Sequence, residues 1–231
     1  MYICPANNKS LICKMNKDYQ FLLLDLDGTI TDPMVGITRS VEYALSHFNI
    51  KVNHLEELCP FIGPPLKDSF KEFYHFTEEQ ADIALKKYRE YFAVKGMFEN
   101  NVYEGIEEFL QSQIKLGRKL MIATSKPEPF AKKILEYFKL DHYFSFIGGA
   151  TLDGSRSTKT DVIRYVLKSN QIKDLSRVIM IGDRKHDIEG ARNNGISSIG
   201  VLYGYGDKAE LQKAKADYIV ADIKELTRLL S

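Results

Sequence analysis

Cysteine is scarce in this 231-residue chain: Cys4, Cys13 and Cys59 are the full set, an odd number with no CxxC pair. That excludes a disulfide framework and a thiolate zinc site, and it suits a reducing, cytoplasmic setting. An excess of either charge is also missing, because 32 Lys and Arg oppose 31 Asp and Glu. A formal charge of +1 offers no concentrated basic face, so a nucleic-acid polymer is not an expected partner. Long apolar runs are absent too. The densest, Phe21 to Leu24 and Val178 to Ile181, fall far short of the roughly 18 residues that span a bilayer, so no membrane partner is expected. Asn7, Asn8, Lys9 and Lys14 interrupt the N-terminal stretch, which therefore does not read as a signal peptide. No internal repeat or low-complexity tract occurs. With 44% apolar and 27% charged residues, the composition is that of an ordinary folded protein.

Residues 1–17 are polar and lack apolar periodicity, so they read as a loose leader, with Met15 an alternative start. From Phe21 to Leu24 four apolar residues run without alternation and stop at Asp25, the pattern of a strand buried on both faces. The same signature returns at Leu120–Ala123, Val178–Ile181, Ile196–Val201 and, more weakly, Tyr218–Val220. Helical stripes alternate with these runs: Ile106, Phe109, Leu110 and Ile114 before a Gly117 stop, then Phe130, Ile134 and Phe138 behind Pro129. Strand–helix alternation from residue 102 onward predicts an α/β fold, a Rossmann-like doubly wound parallel sheet. Residues 34–100 carry helical stripes only (Val41, Ala44, Leu45, Phe48; then Ala81, Ala84, Leu85, Tyr88, Phe92 behind a Thr77–Gln80 capping box). The expected organisation is a core of residues 18–33 and 101–231, with an all-helical insertion at 34–100. An insertion directly after the first strand's loop enters where α/β sheets bind ligand, so it is placed to act as a lid.

Three strand ends carry the chemistry. Asp25-Leu26-Asp27-Gly28-Thr29 leaves the first buried run with carboxylates at i and i+2, a pair that suits a cation, or a nucleophile beside a general acid/base. Gly182-Asp183-Arg184-Lys185-His186-Asp187 ends another buried run, and strand ends of one parallel sheet share an edge, so Asp183 is expected near Asp25. Three or four carboxylates meeting there make an oxygen-rich, magnesium-like site. Thr124 and Ser125, closing the run Leu120–Ala123, offer hydroxyls and N–H groups to a phosphate oxygen. Lys159, opening the helical stretch Thr160–Leu167, offers a cation to phosphate and acids alike. Lys67, just after Gly63-Pro64-Pro65-Leu66, is the residue of the insertion most suited to reach an anionic substrate.

In this order the motifs resemble those of the haloacid dehalogenase superfamily of phosphatases, over about residues 20–231, and the helical insertion is similar to that superfamily's C1 cap. Ile62-Gly63-Pro64-Pro65-Leu66, Thr124-Ser125-Lys126-Pro127 and Gly200-Val201-Leu202-Tyr203-Gly204-Tyr205-Gly206 are most similar to its phosphoglycolate phosphatase-like and bacterial 5′-nucleotidase-like branch. Ser125 stands where Asn is frequent, and Thr160 where Pro often follows the lysine. The resemblance implies that Asp25 is the nucleophile, forming an aspartyl-phosphate, and that Asp27 is the general acid and base. It implies Mg²⁺ held by Asp25, the backbone carbonyl of Asp27 and Asp183, with Asp187 orienting water or Lys159. Thr124 and Lys159 would bind the phosphoryl group of a small phosphate monoester, with 5′-nucleotides and 2-phosphoglycolate the leading classes. A monomer or weak homodimer is expected. The alternatives are a phosphoglucomutase-like phosphotransferase and a non-catalytic module that binds a phospho-ligand.

Overall fold

The computed structural model describes residues 18–231; the leader read at residues 1–17, with its alternative start at Met15, lies outside the described residues. The described residues open with β1 (Phe21–Leu24) and a two-residue β2 (Thr31–Asp32), then enter α1 (Met34–Ser46), α2 (Leu66–Tyr74) and α3 (Glu78–Tyr91). It returns through β3 (Asn101–Val102), α4 (Ile106–Lys115), β4 (Lys119–Pro127), α5 (Glu128–Tyr137) and β5 (Phe144–Ala150). Then follow α6 (Lys159–Ser169), β6 (Val178–Gly182), α7 (Lys185–Asn193), β7 (Ser197–Val201), α8 (Lys208–Lys213), β8 (Tyr218–Val220) and α9 (Ile223–Leu229).

Six strands form one parallel sheet in the order β5-β4-β1-β6-β7-β8, with β1 hydrogen-bonded to both β4 and β6. Alternation along each strand sends side chains to opposite faces, and both faces are covered. Leu22, Leu24, Ile122 and Ile181 share a core with Phe109 of α4, Ile134 of α5 and Leu226 of α9. Leu23, Met121 and Met180 pack on the other face against Val162 and Ile163 of α6 and Ala191 of α7. The sheet is doubly wound, as its unbroken apolar strands require.

Two features differ from the expectation. β5 has no counterpart in the apolar pattern, because Ser145, Gly148 and Gly149 interrupt it; a Cβ on Gly148 would lie 2.4 Å from Val166, and one on Gly149 2.6 Å from the Lys126 carbonyl. Close packing against neighbours demands glycine there and erases the hydrophobic signature. β4 also runs on beyond Ala123 to Pro127, with a register shift between Thr124 and Pro127. Thr124, Ser125 and Lys126 therefore lie on the irregular end of β4, past the apolar run Leu120–Ala123.

Between β2 and β3 the described chain is helical: α1, a 3₁₀ stretch Leu55–Phe61, α2, α3 and a π-turn Phe92–Gly96. Thr77 caps α3 reciprocally, its Oγ1 accepting from the Gln80 N–H at 3.2 Å while its own N–H donates to Gln80 Oε1 at 2.9 Å. The two ends of the insertion touch, since a Cβ on Gly36 would lie 1.9 Å from the Gly96 carbonyl oxygen. Among the described residues no helix is long and apolar enough to cross a membrane.

Candidate active site

Register decides which residues meet. Leu24, the last residue of β1, is level with Ile122 of β4 and Ile181 of β6. Asp25, Thr124 and Asp183 therefore stand along one carboxyl edge of the sheet, and Asp187 joins them from the first turn of α7; all four are buried. One carboxylate oxygen from each of Asp25, Asp183 and Asp187 lies within 4.8 Å of the others. Gly28 permits this approach: its φ of +81° belongs to the left-handed region, and a Cβ there would fall 2.2 Å from Asp183 Oδ2. The Tyr205 N–H donates to that same oxygen at 2.7 Å, while Asp183 Oδ1 is buried with no hydrogen-bond partner among the described residues.

Each ammonium in the site has its own carboxylates. Lys159 Nζ lies 2.7 Å from Asp25 Oδ1 and 2.8 Å from Asp187 Oδ1, and donates to the Ala123 carbonyl at 3.0 Å. The remaining Asp187 oxygen accepts from the Arg184 N–H at 3.0 Å, and Asp25 Oδ1 also accepts from the Leu26 N–H at 2.8 Å. The Asp27 side chain pairs with Lys126, whose Nζ lies 2.6 Å from Oδ2. Thr124 Oγ1 accepts from the Lys126 N–H at 3.2 Å, which ties the start of the bulge together.

Burial disfavours charge on the acids and sets their titration. It pushes Asp27 above its ordinary value, opposed by Lys126. It raises Asp183 well above the ordinary value, with the neighbouring Asp187 and Asp25 adding to the rise. Asp187 is pushed up to about 6 by burial, which outweighs the pull of Lys159. Burial works against the Lys159 charge, yet Asp187 and Asp25 raise its pKa above the usual lysine value, so it remains an ammonium. Among the described residues, two ammonium groups thus face four carboxylates. That imbalance, together with the bare Asp183 oxygen, fits a hard divalent cation that takes oxygen ligands.

A cavity of about 480 Å³ lies over Asp25 and Asp27, between the sheet edge and the helical insertion. Thr124, Ser125 and Lys126 line it from the core, and Phe61, Lys67, Tyr88, Arg89 and Phe92 line it from the insertion. Lys67 lies on this wall as the sequence suggests, but its ammonium is held 2.6 Å from both Glu78 and Asp82. The two sides of the cavity are joined by guanidinium groups. Arg184 donates to the Ile62 carbonyl at 2.7 Å while pairing with Glu210 at 2.9 Å, and Arg89 donates to the Leu152 carbonyl at 3.2 Å. Lys126, Arg184 and Tyr205 were not singled out from sequence as site residues. Each is next to a motif residue or within a quoted run, but lysine and arginine are solvated as a rule, and an orienting backbone N–H leaves no trace in composition.

Residues 22–201 match the haloacid dehalogenase-like hydrolase family. Over 212 residues the chain is 44% identical to a 5′-nucleotidase of Pseudomonas aeruginosa, covering 92% of this chain and 96% of that one. It is 35% identical to the tyrosine-protein kinase PtkA of Mycobacterium tuberculosis across 91% of this chain and 72% of the other. A phosphoglycolate phosphatase of Vibrio parahaemolyticus is 22% identical across 93% and 97%. The crystal structure of a predicted phosphatase from Clostridium acetobutylicum superposes with a TM-score of 0.89 at 53% identity, covering 91% of this chain and 97% of that one. The chain belongs to the haloacid dehalogenase-like hydrolase family, and within it to the phosphatases that cleave phosphoric monoesters.

Proposed function

We propose that the chain is a Mg²⁺-dependent phosphomonoesterase acting through an aspartyl-phosphate on Asp25, with a nucleoside 5′-monophosphate as its substrate. The observation that carries this reading is the separate tethering of two carboxylates beneath one cavity. Asp25 is held by Lys159, and Asp27 by Lys126. A nucleophile and a general acid need different surroundings, and the two tethers provide them. The raised pKa of Asp27 suits it to the proton-donating role.

Asp25 attacks phosphorus, an Asp–O–P bond forms, and the ester P–O bond breaks as Asp27 gives its proton to the departing oxygen. Water then attacks the aspartyl-phosphate, Asp27 takes the water's proton, and the Asp–O–P bond breaks to release phosphate. Lys159 offsets negative charge on Asp25 and the phosphoryl oxygens, and Thr124 and Ser125 donate hydrogen bonds to those oxygens. Asp25, Asp183 and the Asp27 carbonyl would hold Mg²⁺, with Asp187 behind them keeping Lys159 in place. When bound, the ion supplies charge neutralisation for the approach of a carboxylate to a phosphate. The helical insertion excludes water from the first step.

Substrate size and charge favour a nucleotide over a small phosphorylated acid. A cavity of about 480 Å³ with aromatic walls from Phe61, Tyr88 and Phe92 is roomy for a two-carbon acid. Lys67, the insertion's candidate for an anionic substrate, already has two carboxylate partners and so offers little to a substrate carboxylate. The resemblance to a 5′-nucleotidase points the same way. The test is phosphate release from 5′-nucleotides, 2-phosphoglycolate and sugar phosphates, with Mg²⁺ and with EDTA, for wild type beside Asp25→Asn. Metal-dependent release, highest in kcat/KM for a 5′-nucleotide and lost in the variant, is expected. Phosphate passed to a sugar hydroxyl with little free phosphate would instead mark a mutase.

A further inference from the structure

The acid/base carboxylate has two oxygens, and their surroundings differ. Asp27 Oδ2 lies 2.6 Å from Lys126 Nζ, whereas Oδ1 is buried and has no hydrogen-bond partner among the described residues. Lysine offers three donors and no acceptor, so the oxygen facing it must accept. Oδ1 is thereby the oxygen left free to carry and pass on a proton. Lys126 is itself well fixed. Its side chain is only 5% exposed, and its ammonium stands 4.5 Å from the centroid of the Phe92 ring on the side of the helical insertion. Phe92 opens the π-turn by which the insertion returns to the core; it stacks on Tyr88 at 5.3 Å and meets Phe130 edge-on at 5.4 Å. One ammonium is therefore held between a core carboxylate and an aromatic face of the insertion.

We propose that Lys126 is a positioning residue for the reaction: it selects Oδ1 as the proton-carrying oxygen of Asp27, and Phe92 completes its seat when the insertion covers the cavity. This rests on the reading of Asp27 as general acid and base. In the first step the ester P–O bond breaks and the Oδ1 proton moves to the departing oxygen. In the second, the water proton returns to Oδ1 as the aspartyl-phosphate bond breaks. Throughout, the Lys126 side chain holds Oδ2.

The experiment compares two substrates that share the phosphoryl group and differ in the departing oxygen. A nucleoside 5′-monophosphate needs a proton to leave as an alcohol, whereas p-nitrophenyl phosphate leaves as a stable phenolate. The kcat/KM for each reports steps up to cleavage of the ester bond. Positioned acid catalysis typically contributes 10²–10⁴-fold, so Lys126→Met is expected to lose about 10²-fold more on the nucleotide than on p-nitrophenyl phosphate. Lys126→Arg, which retains donors without an acceptor, should recover most of that difference, and Phe92→Leu should show a smaller loss of the same kind. Lys126→Gln provides a second neutral variant, and thermal unfolding checks that each protein is folded. Equal losses on both substrates would make Lys126 a ligand of the shared phosphoryl group and overturn the proposal, as would unchanged kinetics on both. Asp27→Asn run in parallel separates the two readings. If it lacks leaving-group dependence, the acid/base assignment fails. If it shows that dependence and the folded Lys126 variants do not, the Lys126 inference alone fails.

Discussion

At the scale of single residues, the site is a set of charges that tolerate one another only in one geometry. Gly28 carries much of that geometry, because its φ of +81° and missing side chain let Asp183 stand against it. Gly28→Ala would press a methyl group 2.2 Å from Asp183 Oδ2. Displacing a group that orients metal ligands typically weakens metal affinity by about 10–100-fold, and a loss of that size is expected in calorimetric titration with Mg²⁺. Gly117→Ala is the control: its φ is +78°, but nothing lies within 4 Å of the added Cβ, so it should affect stability and leave affinity unchanged. Asp25, Asp27 and Asp183 stood out in the sequence as carboxylates just beyond apolar runs, whereas Thr124 and Lys159 took their meaning from the order of all the motifs together. Lys126 was not, because its meaning comes from Asp27, brought alongside only by the pairing of β1 with β4. The double tether of Lys67 was equally hidden, since Glu78 and Asp82 reach it from another helix.

At the scale of elements, the insertion and the sheet edge are joined at a seam. Arg184 reaches across it from the residue after Asp183 to the Ile62 carbonyl, and Glu210 holds the guanidinium from behind. Cys59 lies half-buried near this seam, three residues before Ile62, and Asp32 contributes to its environment. A hydrogen bond from a charged donor is worth about 1.5–3 kcal/mol, so Arg184→Met should increase opening of the seam roughly tenfold or more. The rate of Cys59 modification by Ellman's reagent, measured with Cys4→Ser and Cys13→Ser in place, reads this directly. An unchanged rate would show that the seam is held elsewhere, as by Arg89 on Leu152. The Thr77–Gln80 cap and the Gly117 stop were readable from local chemistry. β2 and β3 were not, because a two-residue ladder has no periodicity to detect, and β5 was concealed by its packed glycines.

At the scale of the whole molecule, protons on the acidic cluster oppose the binding of the proposed Mg²⁺ beside it. Asp187 rises from an ordinary 3.8 to about 6, and Asp183 is raised as well, both chiefly by burial. In that window the folded chain binds protons that the unfolded chain has released. The metal-free fold therefore keeps this contribution below the ordinary carboxylate pKa and loses it as pH rises through about 6. A bound cation takes the protons' place, so the gain in Tm on adding Mg²⁺ should be small at pH 5 and larger at pH 7.5. At a hundred times Kd the gain is about 2.7 kcal/mol, or about 5–10 °C for a chain of this length. A gain at pH 5 equal to that at pH 7.5 would contradict the assignment.

The pairing of β1 has a further consequence, for the order of events during synthesis. Phe21 finds its two neighbours at Lys119 and Val178, so β1 must wait for distant partners before the sheet closes around it. Such non-local pairing slows folding. A nascent chain released before β6 emerges has Asp25 and Asp27 but no Asp183 or Asp187 to complete the acidic cluster. Acquisition of phosphatase activity thus marks the end of folding, and the kinetics of refolding followed by phosphate release should report the docking of β6 onto β1.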